Sequence, residues 1–207
     1  MTRDEAYKLM CEMLQNKNLQ KHGLAVEVIM RALCNYLRER QPKQTPEVNL
    51  ETSGVSDVDE FNEEEWAIVG LLHDADYELV EKDPSRHTLV TEEKLREIGG
   101  VSERIINGVK AHHDLVKPNR ENLMEKSVYA ADELSGLITA VTLVRPDKKL
   151  SSVDVESVMK KFPQKNFAAG ANRDQILACE RELDIPLQEF VGIALKAMQG
   201  ISSELGL

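Results

Sequence analysis

Aromatic residues are scarce in this chain: one Trp, four Tyr and four Phe make up 4% of 207 residues. A core must therefore be assembled from Leu, Ile, Val, Ala and Met, and few side chains are left to form stacking platforms for single-stranded nucleic acid. Cysteine is scarce too. Cys11, Cys34 and Cys179 are odd in number, far apart and set among apolar residues, a pattern that speaks against a disulfide framework and for a reducing compartment. Positive charge is short: 26 Lys and Arg against 36 Asp and Glu leave a net charge of -10, which repels polyanions. No apolar run is long enough for a bilayer. The least polar stretch, near 134–144, contains Ser135, Gly136 and Thr139 and is too short to span. The opening MTRDEAYK lacks the apolar segment of a signal peptide. These absences predict a cytoplasmic protein with no nucleic-acid or membrane partner.

Sustained alternation with hairpin turns is also missing, and helix signals fill the chain. Thr2 and Glu5 form a capping box before Ala6, Leu9, Met10, Met13 and Leu14 at helical spacing. A second helix is predicted from about Asn18 to Glu39. Asn62 with Glu65 caps a third, carrying Trp66, Ile68, Val69, Leu71 and Leu72. Pro84 suits the first turn of a fourth, which Gly99-Gly100 stops. Ser102 caps a fifth that leads to His112-His113. After Pro118 a long apolar helix runs from about Leu123 to Val144 and ends before Pro146. Shorter helices are expected from Ser152, from Asn172 and, last, from Pro186. The fold class is therefore all-α, a helical bundle.

Two segments differ in charge. Residues 47–65 hold eight acids and no Lys, Arg or His, the composition of a solvated loop insert spanning about 41–62. Residues 145–173 reverse the sign, with seven Lys or Arg against Asp147, Asp154 and Glu156. Such a basic stretch is either a solvated helix face or the place where an anionic substrate docks. Arg145, Lys149, Lys165 and Arg173 are its candidate phosphate ligands, the last two flanking a tight turn at KNFAAG.

The chemistry-bearing residues are His22, His73, His87, His112, His113, Asp74 and Asp132. Asp132 sits inside an otherwise apolar helix, in SVYAADELSGL. An ionised carboxylate there is costly to bury unless paired or metal-bound. The nearest basic residue, Lys126, lies six positions away and off its face, so a divalent cation is a fitting partner. His73 and Asp74 are adjacent in LLHDADYE, and at a helix end both can reach one ion.

The order His22, His73-Asp74, Asp132 resembles the HD superfamily of metal-dependent phosphohydrolases. The likeness covers roughly His22 to Leu137, and KHGLAVEVIMRAL, LLHDADYE, KAHH and LMEKSVYAADELSGL resemble its small single-domain members. It implies an HD core over 1–144 and a C-terminal helical extension over 145–207 packed on it. It places His22, His73, Asp74 and Asp132 at a first metal site, a mixed N/O set suited to Mn, Fe, Co or Zn. In the dinuclear branches two more histidines fall between the His-Asp pair and the last Asp. Here His87 follows His73 by 14 residues, His112 follows His87 by 25, and Asp132 comes 20 later. His87 and His112 are thus candidates for a second ion, which Asp74 would bridge; alternatively they hydrogen-bond phosphate or act as acid and base. Asp74, His112 and Asp76 are the candidate catalytic residues. Asp76 is placed to orient His73 or a bound water, or to cap a loop. His113 is a candidate for holding a ligand in orientation.

The implied activity is hydrolysis of a phosphoester or phosphoanhydride, with a nucleotide-like substrate and one or two divalent ions. The glycine-rich motif of the cyclic-dinucleotide branch is missing. Two other functions resemble the same pattern, a di-iron oxygenase and a non-catalytic nucleotide or metal sensor. A homodimer is compatible with all three.

Overall fold

A computed structural model of the chain describes residues 1–41, 60–80 and 83–207. Most of the expected acidic insert lies outside the described residues; its last acids, Glu63, Glu64 and Glu65, form a helical first turn, where negative charge complements the helix N-terminus.

The described residues form helices and turns, with no strand among them. The first helix, α1 (Arg3–Met13), starts at the expected Thr2–Glu5 capping box. It is followed by α2 (Lys17–Arg40), capped by Asn16, and α3 (Glu63–Leu72), whose first turn donates to Asn62 Oδ1. Next come α4 (Leu89–Ile98) and α5 (Glu103–Lys110), the latter capped by Ser102. The long α6 (Leu123–Leu143) ends two residues before Arg145-Pro146. The tail holds α7 (Val155–Lys161), α8 (Arg173–Ile176), α9 (Ala178–Leu183), α10 (Leu187–Gly200) and α11 (Ser202–Leu205).

Three boundaries differ from expectation. Pro84 opens only a short 3₁₀ turn, Pro84–Arg86, and α4 starts at Leu89. Leu150–Ser152 is likewise a 3₁₀ turn, and α7 begins at the Asp154 cap. The helix expected from Asn172 is broken at Leu177 into α8 and α9.

One apolar cluster runs through the bundle. Ala, Val, Leu, Ile and Met supply nearly all of it, with Trp66 and Phe190 as its largest buried side chains. The pairing of α2 with α3 is the most intimate in the fold. A Cβ on Gly70 would lie 2.7 Å from Val26 O, and one on Gly23 would lie 2.9 Å from Leu71 O. Only hydrogen at these two positions lets the backbones come so close. His22 precedes Gly23, and His73 ends the helix that carries Gly70, so this seam sets the two histidines face to face. From the tail, α10 packs on α2 and α6, and α9 and α8 pack on α6. All three cysteines are described, and none is in a disulfide. Among the described residues no helix is long and apolar enough to cross a membrane.

Candidate metal centre

The centre is built where α2, α6 and the C-terminal ends of α3 and α5 meet. His22, in the second turn of α2, has Nε2 3.0 Å from Asp132 Oδ1 and 3.1 Å from His73 Nε2. Asp74 reaches the same place through Oδ2, 3.5 Å from His22 Nε2 and 3.6 Å from His73 Nε2. Its other oxygen, Oδ1, points the opposite way, 3.1 Å from His87 Nε2 and 3.4 Å from His112 Nε2. His87 Nε2 and His112 Nε2 are themselves 2.9 Å apart. Two groups able to hold a metal ion result, His22–His73–Asp74–Asp132 and Asp74–His87–His112, and they share one carboxylate.

The outer nitrogens fix which lone pairs face inward. His73 Nδ1 lies 2.8 Å from Gly70 O, and His112 Nδ1 lies 2.7 Å from Val109 O. A carbonyl only accepts, so each Nδ1 carries the proton and each Nε2 turns a lone pair to the centre. His87 Nδ1 is fixed the same way by Asp76 Oδ1 at 2.7 Å. Lone pairs of neutral imidazoles 2.9 Å apart repel unless a cation sits between them. The donor set is the one a borderline divalent metal takes, imidazole nitrogen with carboxylate oxygen, so these residues fit such an ion. His22 Nδ1 faces the buried Ser135 Oγ at 2.9 Å, which accepts its proton when Nε2 is a ligand.

Without a metal, protons take the cation's place. Burial opposes charge on His73, but the Asp74 and Asp132 carboxylates outweigh it and hold this imidazole up to about 9. Burial also opposes charge on His87, where Asp74 and Asp76 prevail and again hold it up to about 9. Asp74 and Asp132 are held well below the usual carboxylate range: their burial works against the charge, and the surrounding imidazoles overcome it.

Asp76 is placed against His87 rather than His73. It is fully buried, and besides His87 its oxygens accept Thr88 N–H at 3.1 Å and Thr91 N–H at 2.9 Å. It thus caps α4 from outside that helix. Thr88, the residue before α4, has no capping side-chain bond and a left-handed backbone at φ 71°. That explains why α4 starts late: Asp76 holds a turn that Thr88 does not stabilise itself. With both oxygens engaged, Asp76 acts through His87 and not on substrate.

A cavity of about 430 Å³ opens over the shared carboxylate. Asp74, His87, His112 and Asp132 line it, together with Tyr77, His113, Glu133 and Gln175. His113 Nδ1 is buried and has no hydrogen-bond partner among the described residues. Burial, with His87 and His112 beside it, lowers the pKa of His113, so its ring is neutral. Glu133 is pushed up, by burial first and by neighbouring Asp132 second. Tyr77, Glu133, Ser135 and Gln175 were not singled out by sequence. Glu133 and Ser135 could have been: they share a helix with Asp132, one position on and nearly one turn on.

The four expected phosphate ligands lie elsewhere; none lines this cavity. Arg173 donates to the carbonyls of Phe162, Phe167, Ala168 and Ala171, at 3.1, 2.5, 2.8 and 2.6 Å. It therefore clamps the KNFAAG turn and has little left for a phosphate. Arg145 approaches Asp154 at 3.8 Å, and Lys149 and Lys165 are exposed. Within the basic stretch Arg173 is an internal brace, and Lys165 lies beside it at a separate pocket.

An all-helical bundle that gathers four histidines and two aspartates into two adjoining groups able to hold cations is a domain of metal-binding type. The family model of the HD domain matches residues 19–137, more than half of the chain. The chain belongs to the HD domain family, part of a superfamily of metal-dependent phosphohydrolases. The match spans both cation sites and ends shortly after Ser135. No curated protein and no solved structure matches the chain.

Proposed function

We propose that the protein is a phosphohydrolase that works with two divalent ions, one held by His22, His73, Asp74 and Asp132, the other by Asp74, His87 and His112. The observation that carries this reading is the turning of imidazole lone pairs toward a shared carboxylate at the floor of an open cavity. Ions bound there would supply positive charge to a phosphoryl group and acidify a coordinated water. The chain's own residues do the rest. Gly70 O, Val109 O and Asp76 hold three imidazole rings by Nδ1–H and leave each Nε2 to a metal. Asp74 divides its oxygens between the two sites and fixes their spacing. His113 offers a neutral ring to a bound phosphoester. The substrate is a phosphoester or phosphoanhydride with a nucleotide-like body, and the setting is the cytoplasm, which suits three cysteines outside any disulfide.

The test is release of inorganic phosphate from a panel of phosphorylated metabolites. Activity is expected to vanish on chelation, to return with Mn²⁺ or Fe²⁺, and to be absent in Asp74→Ala. An active Asp74→Ala protein overturns the reading. So does oxygen consumption without phosphate release by the iron-loaded protein, which marks an oxygenase.

A further inference from the structure

We infer that the cavity selects its substrate by charge: it takes a single phosphoryl group carried on a hydroxyl- or amine-rich, uncharged or cationic alcohol, and Glu133 excludes polyphosphates. The inference rests on the phosphohydrolase reading above and deepens it. The cavity is lined by three acids, Asp74, Asp132 and Glu133, and by no Lys or Arg. The aspartates belong to the cation sites; Glu133 does not. One of its oxygens accepts Asn172 N–H at 2.9 Å. Among the described residues the other has no hydrogen-bond partner and no Lys or Arg forms a salt bridge with this carboxylate; the Arg173 guanidinium, committed to the 162–171 turn, acts on it only at longer range.

Gln175 adds to the same polarity. Its amide N–H₂ donates to Tyr129 O at 2.9 Å, which leaves its carbonyl oxygen as an acceptor at the cavity lining. These two groups therefore present acceptors and a negative charge, the complement of hydroxyl or ammonium donors. Tyr77, half exposed, brings an aromatic ring to the lining, 5.8 Å from His87 and perpendicular to it. That ring can cover one sugar- or base-sized group. A volume of about 430 Å³ is that of an ordinary small-molecule site. A second or third phosphate has no cationic side chain in the lining to meet it, and it must share the space with Glu133. Charges of one sign brought together in this way are strongly disfavoured.

The experiment uses the full chain loaded with Mn²⁺, kept in excess over nucleotide, and a matched nucleoside mono-, di- and triphosphate. Wild-type kcat/KM is expected to fall at least about tenfold from mono- to diphosphate and again to triphosphate. Glu133→Gln keeps an oxygen for Asn172 N–H but removes the charge, and should compress both ratios several-fold. Equal or faster turnover of the diphosphate by wild type overturns the inference, as do unchanged ratios in E133Q. If no member of the series releases phosphate, the hydrolase reading fails. The charge preference is then read separately from thermal shifts. The monophosphate must stabilise the metal-loaded wild type more than the triphosphate, with the gap shrinking in E133Q; no gap overturns the preference itself.

Discussion

Asp76→Asn separates the two cation sites. The wild-type carboxylate accepts three hydrogen bonds in a buried setting, from His87 Nδ1, Thr88 N and Thr91 N. Asparagine retains one acceptor oxygen and puts an N–H₂ where the other was. If that oxygen serves His87 and Thr88, the N–H₂ faces Thr91 N–H, and a buried donor is orphaned at a cost of about 1–3 kcal/mol. If the amide turns over, the N–H₂ meets His87 Nδ1 and forces the ring toward the tautomer that protonates Nε2. Either way the charge-assisted bond that orients His87 is lost. Losing such a partner lowers metal affinity about 10- to 100-fold, or about 1.4–2.8 kcal/mol. Among the described residues His22, His73 and Asp132 make no hydrogen bond or ion pair with Asp76, so the first site keeps its affinity. Calorimetric titration of chelator-stripped protein with Mn²⁺ should show two events in wild type. In the variant one stays in place and the other is weakened by that factor. Two unchanged events, or equal weakening of both, would refute the argument that Asp76 acts through His87.

Two further outcomes follow from charge and hydrogen bonding. Metal-free protein should lose thermal stability as pH rises from 6.5 to about 9, because His73 and His87 titrate near 9 when folded against an ordinary value of 6.5. Their contribution is complete below 6.5 and gone above the folded value; metal uptake at pH 7 should accordingly release protons, measurable as a buffer-dependent binding enthalpy, and a melting temperature flat across this range in chelator contradicts it. Arg173→Met should cost about 2 kcal/mol by stripping a charged donor from four loop carbonyls and speed proteolysis within 162–171, while Mn²⁺ affinity stays unchanged; a large loss of metal binding would mean the clamp reaches the centre.

The sequence was most informative where structure is local. Thr2, Asn62 and Ser102 cap helices at the expected places because each bonds an amide two or three residues on. Gly99 and Gly100, both with left-handed backbones, end α4 as their lack of a Cβ allows. Asp132 and the His73-Asp74 pair stood out for a chemical reason: a His-Asp pair at the end of an apolar helix and an aspartate inside another are costly without a shared cation, whereas His22, His87 and His112 became candidates only through the family resemblance. What escaped was set at long range. The start of α4 depends on Asp76, twelve residues before Thr88. The role of Arg173 depends on carbonyls that a folded turn collects. The acceptor character of the cavity depends on Glu133 and Gln175, brought together from different helices. Charge counted along the chain left 145–173 as either a solvated face or an anion site; none of its cations lines the cavity over Asp74.

The seam between α2 and α3 works as a ruler. Because Gly23 and Gly70 bring main chain against main chain, the span between His22 and His73 is set by the peptide backbone itself, which cannot be compressed or trimmed by changing a core side chain. Selection among ions of different radius is thereby removed from the reach of ordinary core mutation. A methyl group at either glycine would wedge the helices apart and lengthen the bite of the first site before altering a single ligand. Redesign toward a larger cation should begin at those two hydrogens and leave the histidines alone.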